Sequence, residues 1–285
     1  VNLEEQLQTH LNQIARERDP YLATAGHFFV QQYICQQLSQ WGSVETHTFS
    51  VGTKPCKNLI LNLPSNTLNK KRDLPPILIG AHYDAVPGSP GADDNASGVA
   101  VLLEFARIFA TQPAKYPLRL VAFDMEEYGL VGPSGASEYA ALLRQQQQPL
   151  RLMISLEMLG YRDFTPNSQA YPAPLERFYP NRGDFIALVG SLRTIPDLIR
   201  LSRSFRQCGV PSEWLPVPNR GLILPQSRLS DHAHFWDVGY PAMMVTDTAN
   251  MRNPHYHKPS DAIATLDMDF LTGVCRGLEN GIREL

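Results

Sequence analysis

Apolar residues recur along this chain at several spacings, and the spacing changes along its length. Over residues 2–42 it is helical. Leu3, Leu7, Leu11 and Ile14 share one face, and Phe29, Tyr33, Leu38 and Trp41 continue the pattern less regularly, so two helices are expected. Residues 44–51 alternate Val, Thr and Phe with polar residues, as a half-exposed strand does, and residues 58–63 are a second strand candidate. Short apolar runs then replace the alternation: residues 76–81 before His82, 118–123, 152–156 and 241–245. Strands buried on both faces have this pattern. Helical stretches fall between them, at residues 96–110, 134–145, 195–207 and 270–285. Strands alternating with helices predict an α/β fold, with a mixed, mostly parallel twisted sheet sandwiched between helices. The length of 285 residues suits a single catalytic domain over residues 1–285 with no inserted domain. Residues 162–183, rich in Pro, Tyr and Asn, read as a long surface loop. It either covers a site or is a plain insertion.

Composition narrows the classes. A hydrophobic fraction of 43% supports a sizeable core. The net charge of −3 is spread along the chain, which gives no footprint for nucleic acid. No run approaches the roughly 18 apolar residues of a membrane span. Cys35, Cys56, Cys208 and Cys275 are scattered, with no Cys-x-x-Cys pair, which argues against thiolate zinc ligands; buried free thiols are expected ahead of disulfides. The chain opens at Val1, which is compatible with a soluble protein exported after loss of an upstream segment. Neither compartment nor oligomeric state follows from the sequence.

Chemistry-bearing residues lie at the ends of the apolar runs. His82 stands in Gly80-Ala-His-Tyr-Asp84, and Asp94 in Gly91-Ala-Asp-Asp-Asn-Ala-Ser-Gly98. Glu126 and Glu127 stand in Phe123-Asp-Met-Glu-Glu-Tyr-Gly129, Glu157 in Leu156-Glu-Met-Leu-Gly160, and His257 in Asn253-Pro-His-Tyr-His257. Open α/β sheets place ligand sites at the carboxyl ends of their strands, so such residues converge. Two imidazoles and three carboxylates hold two divalent metals if one carboxylate bridges. Glu126 is then left over as a base, which is the equipment of metal-assisted hydrolysis.

Asp84, two residues after His82, shares its face of the strand and is placed to accept the ring N–H of a metal-binding histidine. Neighbours on a strand point opposite ways, so Glu126 and Glu127 serve one site only where the strand ends, with Gly129 supplying the turn. Asp93, Asp94 or Asn95 can each cap the following helix, but three in a row exceed that need. Gly91 and Gly98 allow close backbone approach beside them. His255 competes with His257. Asp231, His232 and His234 precede an apolar stretch at Phe235; they read either as supports behind the ligands or as a helix start, with Asp231 slightly favoured as its N-cap.

His-Tyr-Asp, Gly-Ala-Asp-Asp-Asn-Ala-Ser-Gly, Glu-Glu-Tyr-Gly-Leu-Val-Gly and Tyr-His-Lys-Pro-Ser-Asp together resemble the co-catalytic zinc exopeptidases. That family includes the bacterial leucyl aminopeptidases, with glutamate carboxypeptidases and glutaminyl cyclases as more distant relatives. The resemblance runs over residues 2–285 and implies a fold of the zinc-exopeptidase, phosphorylase/hydrolase-like kind. It implies two Zn2+ ions, one held by His82 and Glu157, the other by Glu127 and His257, with Asp94 bridging. Glu126 would be general base and acid, Asp84 would orient His82, and Tyr256 would donate to the oxyanion. A cis peptide at Asp94–Asn95 is implied as well. Glu157 is a departure, since many members carry Asp there. Peptides are the expected substrates, cut after a free N-terminal residue. Two other readings stand beside this one. A glutaminyl cyclase-like enzyme would typically carry Trp where Tyr256 stands, and a catalytically dead interaction module would have lost ligands that are all present here.

Overall fold

The computed structural model describes residues 2–66, 74–129 and 132–285. Leu130 and Val131 of the Glu-Glu-Tyr-Gly-Leu-Val-Gly motif therefore lie outside the described residues. In chain order the elements are α1 (Leu3–Ile14), α2 (Thr24–Ser39), β1 (Val44–Val51), β2 (Lys54–Leu63), β3 (Ile77–His82), α3 (Gly98–Thr111), β4 (Leu118–Phe123) and α4 (Gly135–Gln145). They continue with β5 (Leu152–Glu157), β6 (Ile186–Ser191), α5 (Ile195–Gln207), β7 (Ser212–Val217), α6 (His232–Asp237), β8 (Ala242–Thr246) and α7 (Met268–Glu284).

The strands make one eight-stranded sheet in the order β1-β2-β4-β3-β5-β8-β6-β7. Its centre, β4-β3-β5-β8, is parallel. β1 and β2 add antiparallel on one side. On the other, β6 runs antiparallel to β8 and carries β7 parallel to itself. The apolar runs form the centre because both faces are covered. Ile77, Ile79 and Ala81 pack with residues of α1, α3, α5 and α7, while Leu78 packs with residues of α4 and α6. The same alternation repeats on β4, β5 and β8. Each large side chain buried in this way contributes about 1.5–3 kcal/mol.

Two expectations shift. The buried face of α2 is His27, Val30, Gln31, Ile34 and Leu38, and Phe29 is partly exposed. β6 and β7 flank α5 on either side, in stretches whose sequence pattern predicts no strand. Residues 162–183 do form a long segment without strand or α-helix. Its ends are joined by a bridge between Asp163 and Gly183, and a short turn at Leu175–Arg177 lies within it. Among the described residues no helix is long and apolar enough to cross a membrane. All four cysteines are free, but only Cys56 and Cys275 are buried as expected; Cys35 and Cys208 are half-buried.

Candidate metal centre and the cavity beside it

Because β4, β3 and β5 are neighbours, the residues at their carboxyl ends meet. His82 is the last residue of β3 and Glu157 the last of β5. β4 ends at Phe123, and the chain then turns through Met125, a non-glycine residue at φ 65°. The left-handed residue is thus Met125 rather than Gly129, whose amide closes the turn by donating to the Glu126 carbonyl at 2.7 Å. Asp84 fixes the same turn from the side. Its two carboxylate oxygens accept the amide N–H of Glu126 and of Glu127, each at 3.1 Å. It also faces His82 Nδ1 at 3.4 Å.

Asp94 stands in an irregular turn, Ala92–Ser97, that leads into α3, and the Asp94–Asn95 peptide is cis. Gly98 is needed there, since a Cβ would lie 2.4 Å from the Asn95 side-chain oxygen and 2.8 Å from the Leu156 carbonyl. The three-residue run divides its work. The Asp93 carboxylate accepts from the Gly160 amide and from Asn253, while the Asn95 side chain joins the Leu156 carbonyl and the Met158 amide. Only Asp94 is left facing the site.

The Asp94 carboxylate looks both ways. Oδ1 is 3.3 Å from His82 Nε2, and Oδ2 is 3.2 Å from His257 Nε2. Glu157 Oε1 lies on the His82 side, 3.6 Å from Nε2, and Glu127 Oε2 lies on the His257 side, 3.2 Å from its Nε2. Glu126 Oε2 is 3.8 Å from His82 Nε2. One donor atom each of His82, Asp94 and Glu127 falls within 4.8 Å of the others. His255 is turned away, its Nδ1 bonded to Ser260. The Tyr256 ring stacks on His257 with centroids 3.7 Å apart.

The electrostatics show the strain of so many carboxylates. Burial, then the nearby Glu157 and Glu127, pushes the Glu126 carboxyl well up. Burial and Asp94 push Glu127 up to about 7, and burial raises Glu157. Against burial, the His257 and His82 rings hold Asp94 below the usual carboxylate range. Against burial again, Asp94 and Glu127 push His257 up to about 10. Burial and these carboxylates also raise the Tyr256 phenol, so it stays protonated and able to donate. The donor set fits metal ions. His82 Nε2 and Glu127 Oε1 are buried with no hydrogen-bond partner, which a cation would satisfy.

Sequence reasoning missed several supports. Ser230 donates to Glu157 Oε2 at 2.8 Å and anchors the longer glutamate arm. Asp231 corrects the capping expectation. It stands at the start of α6, but its side chain makes no cap bond. Both its oxygens are buried and unpartnered, and burial, with Glu157 and Asp84 adding, pushes its carboxyl up to about 8. Its position just after Ser230 in a Ser-Asp-His run was the available signal. Asp261, in the quoted Tyr-His-Lys-Pro-Ser-Asp motif, accepts the amides of Asp93 and Asp94.

Beside the carboxylates opens a cavity. Glu126, Glu127, Glu157 and Asp94 line its acidic end, and Tyr171, Leu175, Tyr179, Phe185, Trp214 and Met244 line much of the rest. Among the described residues no Lys or Arg lines it. Three of those apolar residues come from the 162–183 segment, which favours the covering role over a plain insertion. The segment is pinned in place. Gln169 bonds Thr248 and accepts from Arg252, whose guanidinium lies 4.6 Å over the Phe185 ring. Arg162 is occupied by Asp267.

Residues 58–278 match the peptidase family M28. Among curated proteins the chain is 41% identical to the uncharacterised protein YfbL of Escherichia coli over 219 residues, 72% of this chain and 66% of that one. It is 29% identical to the aminopeptidase YwaD of Bacillus subtilis over 204 residues, 68% of this chain and 38% of that one. It thus spans less than two thirds of the length of either relative. Two solved structures share the fold. The Legionella pneumophila LapA aminopeptidase matches with a TM-score of 0.72 at 19% identity, covering 98% of this chain and 70% of that one. The Porphyromonas gingivalis glutaminyl cyclase matches with a TM-score of 0.68 at 18% identity, covering 99% and 96%. With most of its length matched, and with histidines and carboxylates gathered at one sheet edge, the chain belongs to peptidase family M28.

Proposed function

We propose that the chain is one catalytic domain, a zinc-dependent aminopeptidase that hydrolyses the N-terminal residue of peptides. The observation that carries this reading is the Asp94 carboxylate, whose two oxygens face two different imidazoles. His82 and Glu157 would hold one Zn2+, Glu127 and His257 a second, with Asp94 between them. Bound there, the ions would act as Lewis acids on the scissile carbonyl and on water.

The protein's own residues supply the rest. Glu126 sits beside the cluster, and its raised pKa suits a group that takes a proton from water and returns it to the leaving amine. Tyr256, kept protonated, donates a hydrogen bond to the oxygen that becomes negative. A free α-amine enters as a cation, and the carboxylates of Glu126 and Glu157 favour it in a partly dry cleft. No Lys or Arg lines the cavity to hold a C-terminal carboxylate, among the described residues. The aromatic walls favour an apolar side chain.

Zinc analysis of the purified protein, together with hydrolysis of leucyl and N-acetyl-leucyl p-nitroanilide, tests the reading. Two zinc ions per chain and turnover of the free amine alone are expected. Equal turnover of both substrates would overturn the aminopeptidase assignment. Conversion of N-terminal Gln to pyroglutamate without peptide hydrolysis would replace it with the cyclase.

A further inference from the structure

Arg18 lies in the connection between α1 and α2, far in sequence from every candidate ligand, and it is fully buried. Its five N–H groups point at six backbone carbonyl oxygens, with the two on Nη1 shared among three of them. Among the described residues it forms no ion pair. A buried guanidinium without a carboxylate partner carries a desolvation penalty of several kcal/mol, so its contacts must recover that cost.

The identity of those carbonyls is informative. Two, Ile14 and Arg16, are local to Arg18. The other four belong to the segments that bear ligands. Nε donates at 2.8 Å to Tyr83, the residue after His82. Nη1 donates to Pro90, and Nη2 donates to Gly91 at 2.8 Å and to Asp94 itself at 3.1 Å. The Asp94 amide is held from the other side, donating to Asp261 at 3.1 Å. Its N–H thus meets an anion and its C=O a cation. The turn is shaped to admit the guanidinium, since Gly91 has φ +55° and a Cβ there would stand 2.9 and 3.0 Å from Nη2 and Nη1.

We propose that Arg18 is a positioning residue for the metal centre: it fixes the backbone of Gly91 and Asp94, and so aims the Asp94 carboxylate between the two histidines. The proposal rests on the two-metal reading of the site. It requires the planar fork of arginine, because a lysine ammonium is a point charge on a flexible stem and cannot reach these carbonyls together.

Zinc affinity, measured by competition with a chromophoric chelator, tests it in the wild type, Arg18→Lys and Arg18→Ala. Groups that orient metal ligands typically control affinity by about 10–100-fold. Both variants should weaken zinc binding within that range. At saturating zinc, kcat should fall while KM stays near the wild-type value. Guanidinium ion added to Arg18→Ala should restore part of the zinc affinity. Wild-type affinity in both variants, with the damage confined to the Tm of the metal-free protein, would overturn the proposal. If Arg18→Ala does not fold, Arg18→Lys decides alone by the same affinity criterion. Failure of the wild type itself to take up zinc would instead remove the site reading on which this rests.

Discussion

His82, Glu127 and Glu157 reach the site from the ends of three neighbouring parallel strands, whereas the aromatic walls of the cavity come mainly from residues 162–183, from Phe185 just before β6 and from Trp214 of β7 at the far end of the sheet. The acidic side is held by a continuous ladder of strand pairs and by buried carboxylates on backbone amides, as with Asp84 under Glu126 and Glu127. The apolar side is held by a loop pinned through a few side chains, Gln169 and Arg252 foremost. On the proposed function, chemistry and side-chain choice would sit on separate supports, and substitutions should separate them.

The largest effect falls on the acidic side. Glu126→Gln should keep zinc and lower kcat by about 10²–10⁴-fold, the usual contribution of a general acid–base group. Glu127→Gln should instead weaken zinc affinity, with activity partly regained in excess zinc. The opposite pattern would mean that the adjacent glutamates exchange roles. A smaller effect is expected across the cavity. Trp214→Ala and Tyr179→Ala should lower kcat/KM for bulky apolar residues by about 10–200-fold relative to alanyl substrates, with zinc affinity unchanged. Loss of zinc in these variants would show that the two supports are coupled.

The smallest effect is on stability against pH. In the metal-free protein the folded-state pKa values of Glu126, Glu157, Glu127 (about 7), Asp231 (about 8) and His257 (about 10) are all raised. The folded state then binds more protons than the unfolded one. The stability these groups contribute is complete below their unfolded values and is lost as pH rises through the folded ones. Asp94, held low, acts oppositely but only at more acidic pH. Zinc binding also strengthens as protons leave its ligands. Chelation should therefore lower Tm more at pH 8 than at pH 6, each kcal/mol moving Tm by about 2–4 °C in a chain of this size. Equal drops at the two pH values would contradict the charge picture.

The same comparison explains what was readable from sequence. Short apolar runs ending in His or Glu announce buried parallel strands and their active edge together, so β3, β4 and β5 and the residues beyond them were accessible. Glu126, Glu127, Asp94 and His257 stood out by their local motifs, and the resemblance only divided roles among them. β7 was not accessible, because Pro216 and its half-exposed side chains break the strand pattern. A proline is tolerated there because β7 is an edge strand. β6 is short and follows a long irregular segment. Asp231 is ambiguous in sequence because a helix start and a buried acid behind a cluster of carboxylates look alike there. Arg18 was invisible for another reason: its partners are carbonyls, which every residue carries.

The bridge between Asp163 and Gly183 brings the two ends of the cavity-lining segment side by side, at strand spacing. A segment closed at its base behaves as an exchangeable cassette. Its interior can lengthen, shrink or be replaced without requiring β5 or β6 to move, and the entropy of closing it grows only slowly with length. On the proposed function, variation in substrate range can then accumulate in this cassette, while the strands that carry His82 and Glu157 would stay under the separate demand of holding metal.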